Sequence, residues 1–272
     1  MPVVVMLNQK GGVSKTTLTA NLGGVLAKQG RRVLLVDADP QSSLTQGVIG
    51  PEATSALPAE STIVAAYRGE VARPEQVVMQ TAFAGLHLVP GSELAAEFNN
   101  GRPHEQPWEQ QAALVELLGE LAGGYDLVLV DCPPNLGLCS WSALAAGDAV
   151  CIPVQPEDYG AQGLPAVMRS IGLARQVVNP RLSILGLVVT MYQPRRTLHQ
   201  DYAETLRQQY GDSVFATAIP EAAEVPEATM LRKPVAYHKP RGVAAKAFAA
   251  LADEILARLI AGQEQGNQGE AA

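Results

Sequence analysis

Cysteine, aromatic side chains and charge are all scarce in this 272-residue chain. Its three cysteines, Cys132, Cys139 and Cys151, are odd in number and sit in apolar or motif segments. That excludes a disulfide framework and fits reduced thiols in a cytosolic protein. Aromatics make up 5% of the residues, so the core has to be built from Val, Leu, Ile and Ala. Charged residues make up 17% and hydrophobic ones 47%, the balance of a well-buried α/β core. Positive charge is not in excess: the formal net charge is -7. A generally basic nucleic-acid binder is thereby excluded, although a local basic patch is not. No uninterrupted apolar run reaches membrane-spanning length, and no basic stretch followed by an apolar one opens the chain. The expectation is a soluble, cytoplasmic protein without internal repeats.

What is present begins at once. Val3-Val4-Val5-Met6-Leu7 reads as a buried strand, and the residues from Leu18 to Ala27 carry apolar positions at helical spacing. Between them lies Lys10-Gly11-Gly12-Val13-Ser14-Lys15-Thr16-Thr17. Strand, glycine loop, lysine, hydroxyl and helix, in that order, is the layout of a phosphate-binding loop. Glycines let backbone N–H groups turn toward phosphate oxygens, and the helix N-terminus adds a favourable dipole. Lys15 is placed to reach the β- and γ-phosphates, and the Thr16 hydroxyl to bind Mg²⁺. The strict glycine spacing is broken, because Gln9 and Ser14 occupy its two glycine positions. Ser14, entering a helix, is expected to need no positive φ.

Further strands follow, each ending in chemistry or in a turn. Val33–Asp37 leads into Asp37-Ala38-Asp39-Pro40-Gln41, and Asp126–Val130 leads into Asp131-Cys132-Pro133-Pro134. Carboxylates at the carboxyl ends of strands beside a phosphate loop are placed for metal and water chemistry. Leu86–Gly91, Ala149–Val154 and Leu182–Met191 read as strands, with His87 on one strand face rather than as a ligand. Helices are expected over Ser61–Tyr67, Trp108–Leu121, from about Ala161, over Leu198–Tyr210, over Glu221–Arg232 and over Val243–Ile260. Cys132 is expected to fill space, since nothing evident nearby would activate a thiolate. Strands alternating with helices predict a single doubly wound, mainly parallel α/β sheet with helices on both faces. Residues 1–262 are expected to form one domain and residues 263–272 a disordered polar tail.

Lys10-Gly11-Gly12-x-x-Lys15-Thr16-Thr17 resembles the deviant Walker A motif of the ParA/MinD/NifH group of P-loop ATPases. The Asp37–Gln41 segment resembles that group's Asp-x-Asp-Pro-Gln switch, and Asp131–Pro134 its Asp-x-Pro-Pro form of Walker B. Lys233-Pro234-Val235 and Arg241–Phe248 resemble later segments of the Soj-like ParA family, so the likeness spans Val3 to Ile260. The resemblance implies ATP and Mg²⁺ as cofactors, with Lys10 through Thr17 on the nucleotide. It implies catalytic roles for Lys10, Lys15 and Asp39: Asp39 would position the attacking water, and Lys10 would cross a dimer interface to the partner's nucleotide. Thr16, Asp37 and Asp131 would form the metal's surroundings, and Met191 and Pro220 would flank the adenine. The partners implied are a second copy of the chain in the ATP state, non-specific DNA and a ParB-like centromere-binding protein that stimulates hydrolysis. No membrane partner is expected.

One departure bears on that expectation. Relatives carry arginines after the Ile-Pro step that contact DNA, whereas Ile219–Glu227 is acidic in this chain. The compensating candidates are Arg195, Arg196, Arg232, Lys233, Lys239 and Arg241, with His238 among them. Other readings stay open at this point. A ParA-like ATPase that positions a protein cargo would share every motif. A MinD-like membrane-associated ATPase would want a basic final helix, and this one carries Asp253 and Glu254. A NifH-like reductase would want cysteine spacing that this chain lacks.

Overall fold

The computed structural model describes residues 1–99, 101–156 and 163–270, with side chains described through residue 262. Seven strands, β1 (Val3–Met6), β2 (Val33–Asp37), β3 (Met79–Gln80), β4 (Leu86–Val89), β5 (Leu127–Asp131), β6 (Ala149–Val154) and β7 (Ser183–Val189), form one sheet. Their spatial order is β3-β4-β2-β5-β1-β6-β7. Every neighbouring pair is parallel except β3 with β4. The doubly wound, mainly parallel sheet expected from the sequence is therefore what forms. From β1 the chain builds β2, β3 and β4 on one side, returns to set β5 between β2 and β1, and then adds β6 and β7 on the other side, so the loop after β1 opens near the point where ligands bind in such sheets.

The strands are short Val/Leu/Ile runs, and their period of two divides the core cleanly. Val3, Val5, Leu34, Val36, Val128 and Val130 face one layer; Val4, Met6, Val33, Leu35, Leu127 and Leu129 face the other. The helices are α1 (Lys15–Lys28), α2 (Ser43–Ile49), α3 (Pro51–Ser55), α4 (Ile63–Arg68), α5 (Trp108–Gln111), α6 (Ala113–Glu120), α7 (Leu138–Ala146), α8 (Leu164–Val177), α9 (Thr197–Tyr210), α10 (Glu224–Met230), α11 (Val235–His238) and α12 (Val243–Glu270). The first layer is covered by α4, α6, α7, α8 and α9. The second is covered by α1, α10, α11 and α12, with Leu18 and Leu22 packed in one cluster with Phe248, Leu251 and Ile255. At Gly24 α1 lies against Pro234, which leaves no room for a Cβ there.

Several elements differ from the expectation. The stretch 108–121 is divided at Ala112 (φ -90, ψ 0), and beside the division the buried Gln111 side chain accepts from Trp141 Nε1 and donates to the Gln106 carbonyl. The α10 helix spans only Glu224–Met230 of the expected 221–232. The α12 helix continues past the expected end at Ile260 to Glu270; Gln and Glu are good helix formers, and each glycine costs only about 1 kcal/mol. The expected start of α8 near Ala161 and the Pro156–Gly160 approach fall partly on residues 157–162, outside the described residues. His87 behaves as a strand residue: its Nδ1 meets the Tyr125 hydroxyl at 2.7 Å, and burial with Arg32 nearby pushes its pKa down. Cys132, Cys139 and Cys151 are all buried and unpaired, and burial pushes the Cys139 and Cys151 thiols up to about 12. Among the described residues no helix is long and apolar enough to cross a membrane.

Candidate nucleotide site

The loop from Asn8 to Thr17 leaves the centre of the sheet and enters α1. Gly12 (φ 78) and Ser14 (φ 71) are both left-handed. This corrects the expectation for Ser14: the turn demands a positive φ just where the sequence substitutes serine for glycine. The demand is geometric, since the chain reverses from strand to helix within a few residues and must aim its N–H groups inward. A left-handed non-glycine residue costs about 1–2 kcal/mol, of which glycine's added unfolded-state entropy recovers about half. Ser14→Gly is therefore expected to stabilise the protein by up to about 1 kcal/mol, read as a higher urea midpoint with an unchanged slope.

Lys15 is buried at 7% exposure. Its Nζ donates to the Asn8 carbonyl at 3.0 Å and to the Lys10 carbonyl at 3.1 Å. Burial lowers its pKa, and the nearby carboxylates Asp131 and Asp39 oppose that shift. Asn8, which the sequence reading passed over, braces the loop: its side chain donates to the Pro153 carbonyl at 2.7 Å and accepts from Lys10 N at 3.0 Å. Thr190 Oγ1 reaches the Val13 carbonyl at 3.2 Å. Lys10 itself lies on the exposed side of the loop.

Two carboxylates stand side by side at the strand ends, since Asp37 and Asp131 are paired in register. Thr16 Oγ1 donates to Asp131 Oδ2 at 2.6 Å, while Asp131 Oδ1 is buried without a partner. A buried, unsatisfied carboxylate oxygen beside a threonine hydroxyl is a donor set suited to a hard divalent cation. Among the described residues no three His, Cys, Asp or Glu side chains gather to hold a metal by themselves, so a cation at this place would share its oxygen ligands with a phosphate. Asp37 is placed differently. Its Oδ2 accepts from Thr45 N at 2.8 Å and Thr45 Oγ1 at 2.7 Å, and its Oδ1 from Asp39 N at 3.3 Å. Thr45 Oγ1 in turn accepts from Gly91 N at 2.8 Å. Asp37 thus ties the switch to the segment after β4 through Thr45, a residue that no motif marks. Asp39 closes its own turn, accepting from Gln41 N at 2.9 Å.

Burial pushes the Asp37 carboxyl up to about 7, against the lowering effect of the Thr45 hydrogen bonds, and burial pushes Asp131 the same way. A raised carboxyl pKa means that the folded chain holds a proton the unfolded chain has lost. The contribution of this carboxyl to the stability of the nucleotide-free protein is therefore fully present below the unfolded value of 3.8 and is lost as pH rises toward about 7. Urea midpoints measured across that range should decline for the wild type, and Asp37→Asn should make the decline shallower.

A cavity of about 530 Å³ adjoins the loop, lined by Ser14, Thr17, Leu18, Met191, Ile219 and Pro220 among others. The structure therefore brings the two expected base-flanking residues together beside α1. Tyr192 N donates to the Ile219 carbonyl at 3.0 Å, which joins the two segments.

The basic candidates are less uniform. Arg195, Arg196, Arg232, Lys233, Lys239 and Arg241 are all exposed. Lys239 is paired with Glu227, which also meets His238 Nε2 at 3.2 Å. Arg196 contacts His199 Nε2 at 3.3 Å. The acidic segment after Pro220 is partly spent on structure. Glu224 is 9% exposed and accepts from Ala244 N at 2.6 Å, satisfying the first turn of α12. Glu221 accepts from the Gln193 side chain.

A parallel sheet with a left-handed glycine–serine loop at its switch point, a lysine folded into that loop and a threonine–aspartate pair beneath it defines a P-loop nucleotide-binding protein of the deviant Walker A type. Comparison with known proteins agrees. The family described as AAA domain (AAA_31) matches residues 1–184. The chain is 36% identical over 258 residues to the chromosome partitioning protein ParA of Caulobacter vibrioides, covering 94% of both chains. It is 36% identical over 264 residues to the chromosome-partitioning ATPase Soj of Thermus thermophilus, covering 94% of this chain and 96% of that one. A crystal structure of a Mycobacterium smegmatis protein described as cobyrinic acid a,c-diamide synthase, with bound ADP and magnesium, superposes with a TM-score of 0.81 at 31% identity over 96% of both chains. The chain belongs to the ParA/Soj family of P-loop ATPases.

Proposed function

We propose that the chain is a Mg²⁺-dependent ATPase of DNA partition. Its ATP-bound form pairs with a second copy, holds DNA without sequence preference, and lets go when a ParB-like partner stimulates hydrolysis. The observation that carries the reading is the half-buried Thr16 hydroxyl on the buried Asp131 carboxylate, whose other oxygen is unsatisfied, beside a loop that keeps Lys15 buried and Lys10 exposed. Residues 1–262 act as one ATPase unit in the cytoplasm, on the nucleoid.

Each side chain has a chemical task. The loop N–H groups from Gly11 to Thr17 bind the phosphates, and Lys15 exchanges its two carbonyl partners for phosphate oxygens. Thr16 and Asp131 would hold the Mg²⁺, which when bound offsets charge on the phosphoryl group being transferred. Asp37 acts from behind, fixing the Asp39 backbone through its N–H and answering to Thr45. Asp39 orients the attacking water. Lys10, presented on the loop's outer side, supplies the charge that the partner's nucleotide lacks. Met191 and Pro220 cover the base, for which the cavity of about 530 Å³ has room.

DNA binding is tested by mobility shift with ATP and with ADP over a salt series. Retention with ATP that weakens steeply with salt is expected, because phosphate neutralisation releases counterions. Equal, salt-insensitive retention with both nucleotides would contradict the reading.

A further inference from the structure

Among the described residues the most exposed large apolar side chain is Met230, at 84%, and its neighbour Leu231 is 53% exposed. Both stand at the turn from α10 to α11, followed at once by Arg232 and Lys233. This turn is tightly built. Arg232 N donates to the Thr229 carbonyl and Lys233 N to the Ala228 carbonyl, both at 3.0 Å, the paired closure in which glycine normally takes the left-handed position. Arg232 takes it instead, at φ 53. Its guanidinium lies across Gly50, where a Cβ would come within 2.5 Å of Arg232 Cζ. On the other side Pro234 rests on Gly24, and Val235 N donates to Asn21 Oδ1 at 2.7 Å. The base of the turn is thus fastened to α1 and to the α2–α3 junction, while Met230 and Leu231 are exposed beside it. A non-glycine residue held left-handed beside such a pair is the kind of constraint that marks a working surface.

We infer that this turn is a wedge for duplex DNA. Met230 and Leu231 enter between base pairs from the minor groove, and Arg232 and Lys233 take the flanking phosphates. The inference rests on the DNA-binding reading above and adds to it a second, apolar mode of contact. Met and Leu are side chains that unstack base steps in this way, and the two adjoining cations match the charge of the backbone on either side. Glu227, a turn earlier on α10, does not oppose them, since Lys239 and His238 engage it. A lipid surface is the poorer occupant, because two apolar side chains offer less insertion than the single acyl chain that binds membranes only marginally.

The test uses the full chain with ATP and a short duplex carrying 2-aminopurine, whose fluorescence rises on unstacking. Wild type should bind and raise the fluorescence. The double variant Met230→Ser/Leu231→Ser, a surface change that leaves the core intact, should bind about tenfold more weakly, with no fluorescence rise and the same slope of log affinity against log salt. Arg232→Gly should keep the fluorescence rise and reduce the salt slope by about one. If wild type binds DNA but the fluorescence is flat and the double variant binds equally well, the wedge is wrong and the DNA reading stands. If wild type does not bind DNA at all, both fall. If the double variant instead loses co-sedimentation with anionic phospholipid vesicles while its DNA binding is untouched, the turn faces lipid and the inference is overturned.

Discussion

Lys10→Ala is expected to lower ATP turnover by about a thousandfold while changing nucleotide affinity only a few-fold, as for a cation supplied in trans to a transferring phosphoryl group. The two effects separate because Lys10 has two jobs in different atoms. Its backbone belongs to the loop: its N–H donates to Asn8 Oδ1 at 3.0 Å and its carbonyl accepts from Lys15 Nζ at 3.1 Å. Alanine keeps both. Its side chain is exposed whereas Lys15 is buried, so the substitution leaves these loop hydrogen bonds in place. Measured by isothermal binding and by phosphate release, a parallel loss of both would show that Lys10 serves its own nucleotide.

Asp39→Ala is expected to cost about 10²–10⁴ in turnover, the range for loss of a group that positions or deprotonates the nucleophile, and to leave ATP bound. Asp39 is 9% exposed, and its carboxylate accepts from Gln41 N and its carbonyl from Ser42 N, both within a local turn. The phosphate loop and the Thr16–Asp131 pair do not depend on it. The variant should therefore accumulate in the ATP state, seen by size-exclusion chromatography as a dimer that persists with ATP and not with ADP. A variant that neither hydrolyses nor dimerises would place Asp39 in nucleotide binding instead.

Much of this site was legible because its chemistry is local. Lys15, Thr16 and Asp131 lie at the ends of two apolar runs, and parallel neighbours in a doubly wound sheet bring such ends together. The supporting residues were not legible, because each works through contacts remote in sequence. Thr45 reads as an ordinary helix residue until the fold sets it between Asp37 and Gly91. Asn8 looks like a strand exit until Pro153 arrives beside it. At Ser14 residue type alone says that serine tolerates a helix start, and only the tightness of the turn imposes the positive φ. The acidic stretch after Pro220 read as a charge problem, yet Glu224 is turned inward to satisfy α12. The small elements β3, α2, α3 and α11 carry too few residues for a periodic pattern to show. In α7 the buried face spans Leu138 to Leu144 almost without interruption, so no polar stripe marks it.

The central claim is that each site is completed by the partner's Lys10, and mixing the two inactive variants tests it most directly. In a mixed dimer of Lys10→Ala with Asp39→Ala, the site on the first chain keeps its own Asp39 and receives an intact Lys10 from the second. With random pairing, half the dimers are mixed and half their sites are whole, so turnover should return to about a quarter of the wild-type value if the cation acts in trans. A mixture as inactive as either variant alone, at concentrations where wild type is dimeric, would contradict the account.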